Sequence, residues 1–130
     1  MKKLTTIAVD GAPKAIGPYA QGIVANGFLF TAGQIPLDPA TMKLVEGDIA
    51  TQTERVFDNL AAILKSAGCG FDDVVKASVF LADLADFAEM NKVFAARFGD
   101  HRPARSTIQA AKLPAGARVE IDLTAAIPES

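Results

Sequence analysis

Val74-Val75-Lys76-Ala77-Ser78-Val79-Phe80-Leu81 reads as a strand with apolar residues on both faces. Side chains alternate along a strand, so Val75, Val79 and Leu81 share one face and Val74 and Phe80 the other. That is the pattern of a strand covered on both sides. On its N-terminal side, Ile49, Val56, Leu60, Ile63 and Ala67 recur at helical spacing. Asp48 is placed to cap this helix, and Gly68 to end it in a left-handed conformation. Further back, residues 20–25 and 28–32 flank Asn26-Gly27, the favoured pair for a tight type I′ hairpin turn. Residues 3–9 alternate loosely and predict one more strand. On the C-terminal side, Phe87, Met90, Phe94 and Phe98 form the core stripe of a second helix that Gly99 ends. Asp86 and Glu89 suggest a capping box at its start. Residues 104–111 and 118–127 predict two last strands, joined by Leu113-Pro114-Ala115-Gly116.

The order is βββαβαββ, which predicts an α+β fold, a mixed sheet with two helices on one face. The 130 residues fit one domain over 1–130. Two helices cover only one face of such a sheet, yet the strand at 74–81 is apolar on both. With 50% hydrophobic residues, the chain has more apolar surface than one small core needs. The simplest cover for the second face is the same sheet from other copies, so a homo-oligomer is expected.

Several function classes lose support at once. Net charge is −2 and the sequence pI about 5.3, with only short basic clusters at Lys2-Lys3 and Arg102/Arg105. A duplex-binding face needs far more positive charge, so no nucleic-acid partner is expected. Cys69 is the one cysteine, which permits no intrachain disulfide and fits a reducing cytoplasm. No basic head with an apolar run opens the chain, and no apolar stretch is long enough for a membrane span. A single histidine, His101, lies in a polar loop, so a two-His zinc site is impossible within one chain. Gly17 and Gly22 have P-loop spacing without the following Lys-Ser/Thr, and no G-x-G-x-x-G occurs. Cys69, between two glycines, reads as a passive small residue.

Two residues carry chemistry. Arg105 opens the strand Pro103-Ala104-Arg105-Ser106-Thr107-Ile108, and Glu120 sits in the alternating Arg118-Val119-Glu120-Ile121-Asp122-Leu123. A guanidinium is a fixed fork that grips a carboxylate with two donors, and a carboxylate can move protons. If these consecutive strands pair, the two groups face one cleft. On pattern alone, Arg105 is a solvated surface residue and Glu120 belongs to an outer polar row.

Ala15-Ile16-Gly17-Pro18-Tyr19-Ala20-Gln21, Thr31-Ala32-Gly33-Gln34-Ile35-Pro36, Asp86-Phe87-Ala88-Glu89-Met90-Asn91, Pro103-Ala104-Arg105-Ser106 and Leu113-Pro114 before Val119-Glu120-Ile121 occur in that order. In this ordered set the chain resembles the RidA/YjgF family of reactive-intermediate imine deaminases over nearly its whole length. The resemblance implies a chorismate-mutase-like fold and a homotrimer whose sheets form a barrel-like core, with clefts between subunits. It implies hydrolysis of 2-imino acids such as 2-iminopropanoate and 2-iminobutanoate, reached from enamines such as 2-aminoacrylate, to 2-oxo acids and ammonia. No metal or organic cofactor is expected, and the implied role is metabolite damage control in the cytoplasm. Arg105 then binds the substrate carboxylate, and Glu120 positions water and shuttles protons. Gly33 and the backbone near Thr107 line the pocket, and Tyr19 either reaches in from a neighbouring subunit or packs its own loop. Asn91 lies near the cleft or holds the second helix in place. The chain departs from the family where Ala32 replaces a common Ser, where Thr107 replaces a frequent Cys, and in the short loop 99–102. Two other readings stay open: a non-catalytic protein that binds or senses small carboxylates, and a ribonuclease or translation inhibitor. The acidic pI and lone histidine disfavour the last.

Overall fold

The computed structural model describes residues 3–129; Met1, Ser130 and Lys2 of the Lys2-Lys3 pair lie outside the described residues. Six strands form one sheet: β1 (Thr5–Ile7), β2 (Gly22–Ala25), β3 (Phe28–Thr31), β4 (Val74–Leu81), β5 (Ala104–Gln109) and β6 (Val119–Ala126). The two helices are α1 (Ile49–Ser66) and α2 (Phe87–Phe98). The sheet order is β1-β2-β3-β6-β4-β5, antiparallel except for the β4/β5 pair. A parallel pair needs a long crossover, and α2 provides it between β4 and β5. This is the α+β arrangement with a mixed sheet that the element order predicts.

Local chemistry sets the element ends. The Asp48 carboxylate accepts the Thr51 amide at 2.9 Å and caps α1. At its far end, Gly68 (φ 75°) lets its own amide reach Lys65 O and the Cys69 amide reach Leu64 O, which satisfies two orphan carbonyls. Asn26 (φ 52°) and Gly27 (φ 80°) make the expected left-handed pair in the β2/β3 hairpin. The capping box expected at Asp86 is absent. The Asp86 carboxylate makes no cap bond and instead accepts the Arg118 guanidinium at 2.9 Å, a stronger charge-assisted partner.

Both helices lie on one sheet face. Val79, Leu81, Ile121 and Leu123 from the sheet are buried with Val56, Leu60 and Ile63 of α1 and Met90 of α2. Phe57, Phe71, Phe94 and Phe98 meet edge-to-face or stacked at 4.5–5.9 Å between ring centroids. Phe87 is not part of this core: it stays 38% exposed at the start of α2. Strand β4 departs from the alternation read in its sequence. A bulge between Val74 and Lys76 inserts Val75, so Val74 is fully buried and Val75 is 44% exposed. The opposite sheet face bears Phe28, Phe30, Val75 and Ile108, each at least 40% exposed. Among the described residues, no helix is long and apolar enough to cross a membrane.

Candidate functional site

The register corrects the premise that Arg105 and Glu120 sit on paired strands. Strand β4 lies between β5 and β6. Arg105 is opposite Ala77, which faces the helices, whereas Glu120 is opposite Phe80 on the other face. Directly paired residues share a face, so within one protomer the two groups point to opposite sides of the sheet. The chain carries two separate groups of candidate residues.

The first is built by β5 and α2. The Arg105 guanidinium donates to Asn91 Oδ1 at 2.7 Å, and its Cζ lies 4.7 Å from the Phe94 ring centroid and 5.4 Å from that of Phe87. Asn91 and Phe94 come from one face of α2, as their spacing of three requires. Burial pulls the Arg105 pKa down from its ordinary value. Among the described residues, no carboxylate lies within ion-pair range of Arg105. A partly desolvated cation is thus fixed in direction by a neutral amide and two aromatic rings, with donors left for an incoming anion. A recess of about 530 Å³ opens beside it, lined by Asn91, Phe94, Arg102 and Pro103. Two positions along β5, on the same face, the Thr107 hydroxyl is buried without a hydrogen-bond partner. Such groups are rare, but this oxygen is closed off from solvent and Thr107 is not among the residues lining the recess.

The second group lies across the sheet. A cleft of about 380 Å³ is lined by Glu120, Gly33, Tyr19, Ile35, Met42 and Pro114, among others. Its walls are held by buried side-chain amides. Gln21 receives the Val9 amide at 2.7 Å and donates to the Val9 and Pro13 carbonyls at 3.0 and 2.8 Å, which ties down the segment before Tyr19. Asn59 of α1 donates to Leu37 O at 3.0 Å and fixes the opposite wall. The Tyr19 hydroxyl accepts the Ile16 amide at 3.1 Å, so Tyr19 packs its own loop while remaining 52% exposed over the cleft. Gln34 exchanges both backbone hydrogen bonds with Ile121, and this presses Gly33 against Glu120. A Cβ on Gly33 would stand 2.6 Å from Glu120 Oε2. The backbone of Gly33 does not require glycine, since its φ is not positive; the neighbouring carboxylate does. Ala32 is tied to Gln21 O through its amide at 2.9 Å and holds Gly33 in place by backbone alone.

Burial, reinforced by the nearby Asp122 carboxylate, pushes the Glu120 pKa up. Asp122 is raised as well, by burial, on the same face. A carboxyl raised above its ordinary range is a better proton acceptor when ionised than a free carboxylate. His101 is not simply solvated: its Nε2 lies 2.7 Å from Val74 O. Cys69 is buried, and burial raises its pKa, which fits a passive role.

The structure brings Arg105, Asn91 and Thr107 together, and separately Tyr19, Ala32, Gly33 and Glu120. The sequence reading did not include Met42, Ile35, Leu37 or Pro114 of the cleft wall. An apolar residue in a loop carries no periodic signal of its own.

The model of the endoribonuclease L-PSP family matches residues 9–127. A RutC family protein of Pyrococcus horikoshii is 49% identical over 119 residues, covering 92% of this chain and 94% of the relative. A bovine (Bos taurus) protein named 2-iminobutanoate/2-iminopropanoate deaminase is 44% identical over 119 residues, covering 92% of this chain and 87% of the relative. The crystal structure of RidA from an Antarctic Psychrobacter superposes with a TM-score of 0.91 at 44% identity, covering 95% of this chain and 99% of that one.

Proposed function

We propose that this chain, which belongs to the RidA/YjgF family described by the endoribonuclease L-PSP model, hydrolyses 2-imino acids to 2-oxo acids and ammonia. The observation that carries the reading is the Arg105 guanidinium, oriented by Asn91 and ringed by Phe87 and Phe94 without a carboxylate of its own. It offers a small carboxylate a bidentate, partly desolvated partner. With the carboxylate so held, the C=N carbon is set beside Glu120. Water adds to that carbon as Glu120 takes one of its protons, and the imine nitrogen gains a proton. The hydroxyl proton of the tetrahedral adduct then passes to its amino nitrogen as the C–N bond breaks, the C=O bond forms and ammonia leaves. Water and imino acid are consumed, and one 2-oxo acid and one ammonia are released. The imine carbon is already electrophilic, so the protein contributes mainly orientation and proton transfer. A coupled assay that generates 2-aminoacrylate tests this. Added protein is expected to accelerate release of pyruvate and ammonia; an unchanged rate overturns the reading.

Arg105 and Glu120 face opposite sides of one sheet, so the reaction needs Arg105, Asn91 and Thr107 of one copy beside Tyr19, Gly33 and Glu120 of another. A homotrimer with its open sheet faces turned inward into a barrel-like core would bring them together and would cover Phe28, Phe30 and Ile108. Light scattering at micromolar concentration is expected to give about three times the 13.6 kDa chain mass; a monomeric mass rules out the composite site.

Gly33→Ala separates position from presence. The added methyl must push the Glu120 carboxylate aside, because a flexible side-chain end yields more readily than the β6 backbone. A displacement on the order of 1 Å can cost about a hundredfold in rate. Turnover is therefore expected to drop by about that factor in this variant, with the thermal midpoint nearly unchanged. Unaltered turnover would place Glu120 outside the chemistry.

A further inference from the structure

Among the described residues, three that are not glycine adopt left-handed backbone: Asn26, Met42 and Ala115, with φ of 52°, 59° and 58°. Asn26 is explained by its hairpin turn. Met42 and Ala115 also sit in hydrogen-bonded turns, closed by Met42 N–H on Asp38 O and Ala117 N–H on Pro114 O, but they lack the short polar side chain that makes asparagine tolerant there, and both border the cleft that holds Glu120, Gly33 and Tyr19. Glycine would adopt either conformation without the steric cost that a Cβ brings. Strained positions that gather at one cavity point to a use for the side chains themselves.

At Met42 the loop is rigid enough to enforce the conformation. Its amide donates to Asp38 O at 2.7 Å, the Asp38 amide donates to Lys43 O at 2.9 Å, and Leu37 bridges Leu44. The Val45 amide donates to Pro36 O at 2.9 Å and closes the loop base. The half-buried Met42 side chain thereby joins Ile35, Leu37 and Pro114 as an apolar wall of the cleft that Glu120 also lines. A thioether chain adapts to varied aliphatic shapes. In the composite site proposed above, a substituent on the imine carbon beside Glu120 would be within reach of this wall.

We propose that Met42 is a specificity-determining residue. It favours 2-imino acids with a branched or extended aliphatic side chain over those with a methyl group. This rests on the imine-hydrolysis reading of the same cleft. Lys14 at the cleft margin is the rival determinant, because its cation would favour an acidic side chain.

Calorimetric titration of the full chain with pyruvate, 4-methyl-2-oxopentanoate and 2-oxoglutarate reads the preference through product-like ligands, whether or not turnover occurs. The wild type is expected to bind 4-methyl-2-oxopentanoate at least about tenfold more tightly than pyruvate, the usual discrimination of an apolar pocket. Met42→Gly is expected to lose most of that margin, through a larger loss of affinity for 4-methyl-2-oxopentanoate than for pyruvate, and show no fall in thermal midpoint. Met42→Ala, which keeps a Cβ in the left-handed position, is expected to lose the margin too. A preference for pyruvate or 2-oxoglutarate, a margin that survives both substitutions, or no binding of any of the three overturns the proposal. Wild-type turnover of 2-iminopropanoate tests the underlying reaction separately.

Discussion

Replacing Arg105 by alanine is expected to reduce kcat/KM for 2-iminopropanoate by about thirtyfold to several thousandfold while leaving the assembly mass unchanged. The guanidinium has three fixed supports: the Asn91 amide and the rings of Phe94 and Phe87. None of them is charged, and burial lowers the Arg105 pKa with no acid nearby to oppose it. Its charge is therefore incompletely compensated until an anion arrives. Removing one member of a close, desolvated charge pair costs roughly 2–5 kcal/mol. At about 1.4 kcal/mol per factor of ten, that spans about thirtyfold to several thousandfold. Arg105→Lys should fall between the two, because a lysine keeps the charge but loses the planar two-donor fork. The loss should appear equally in pyruvate affinity, since the carboxylate is common to substrate and product. Full turnover in Arg105→Ala, with an intact assembly by light scattering, would remove the foundation of the proposed function.

What the sequence discloses about this molecule divides along a physical line. Features decided within a few residues are legible. Asp48 and Gly68 bracket α1 through their own hydrogen bonds and φ, and Asn26-Gly27 specifies its turn by itself. Features decided by the assembled sheet are not. Consecutive strands β5 and β6 look like neighbours, but the β4-α2-β5 crossover puts β4 between them. The registers on the two sides of β4 then set the faces: Arg105 pairs with Ala77 and Glu120 with Phe80, an odd number of residues along β4, so the two side chains point opposite ways. The bulge at Val75 inverts part of the β4 alternation and has no glycine to announce it. Phe87 fits the helical stripe by spacing but lies against the Arg105 guanidinium, which is exposed chemistry rather than core. Gly33 reads as a residue chosen for its backbone, yet its φ is ordinary and the Glu120 carboxylate explains it. Met42 and Ala115 show the same limit from the other side, because a left-handed methionine or alanine has no sequence signature.

Glu120→Gln is the substitution that tells an enzyme from a carboxylate sensor. Glutamine preserves the shape against Gly33 and much of the polarity but cannot take a proton from water. A positioned general base typically contributes about 10²- to 10⁴-fold, so kcat should fall by that order while pyruvate affinity, set by Arg105, stays close to wild type. A sensor would lose neither. The pH profile gives a second, independent mark. The base must be ionised to act, and burial first, then the Asp122 charge, raises its pKa. Turnover should therefore decline on the acid side at a pH above the ordinary glutamate range, and Glu120→Gln should abolish that limb. Asp122→Asn removes the neighbouring negative charge while leaving the burial, so it should move the limb to lower pH without eliminating it. If the limb stays in place in Asp122→Asn and persists in Glu120→Gln, another group carries the proton, and the carboxylate beside Gly33 serves only to shape the cleft.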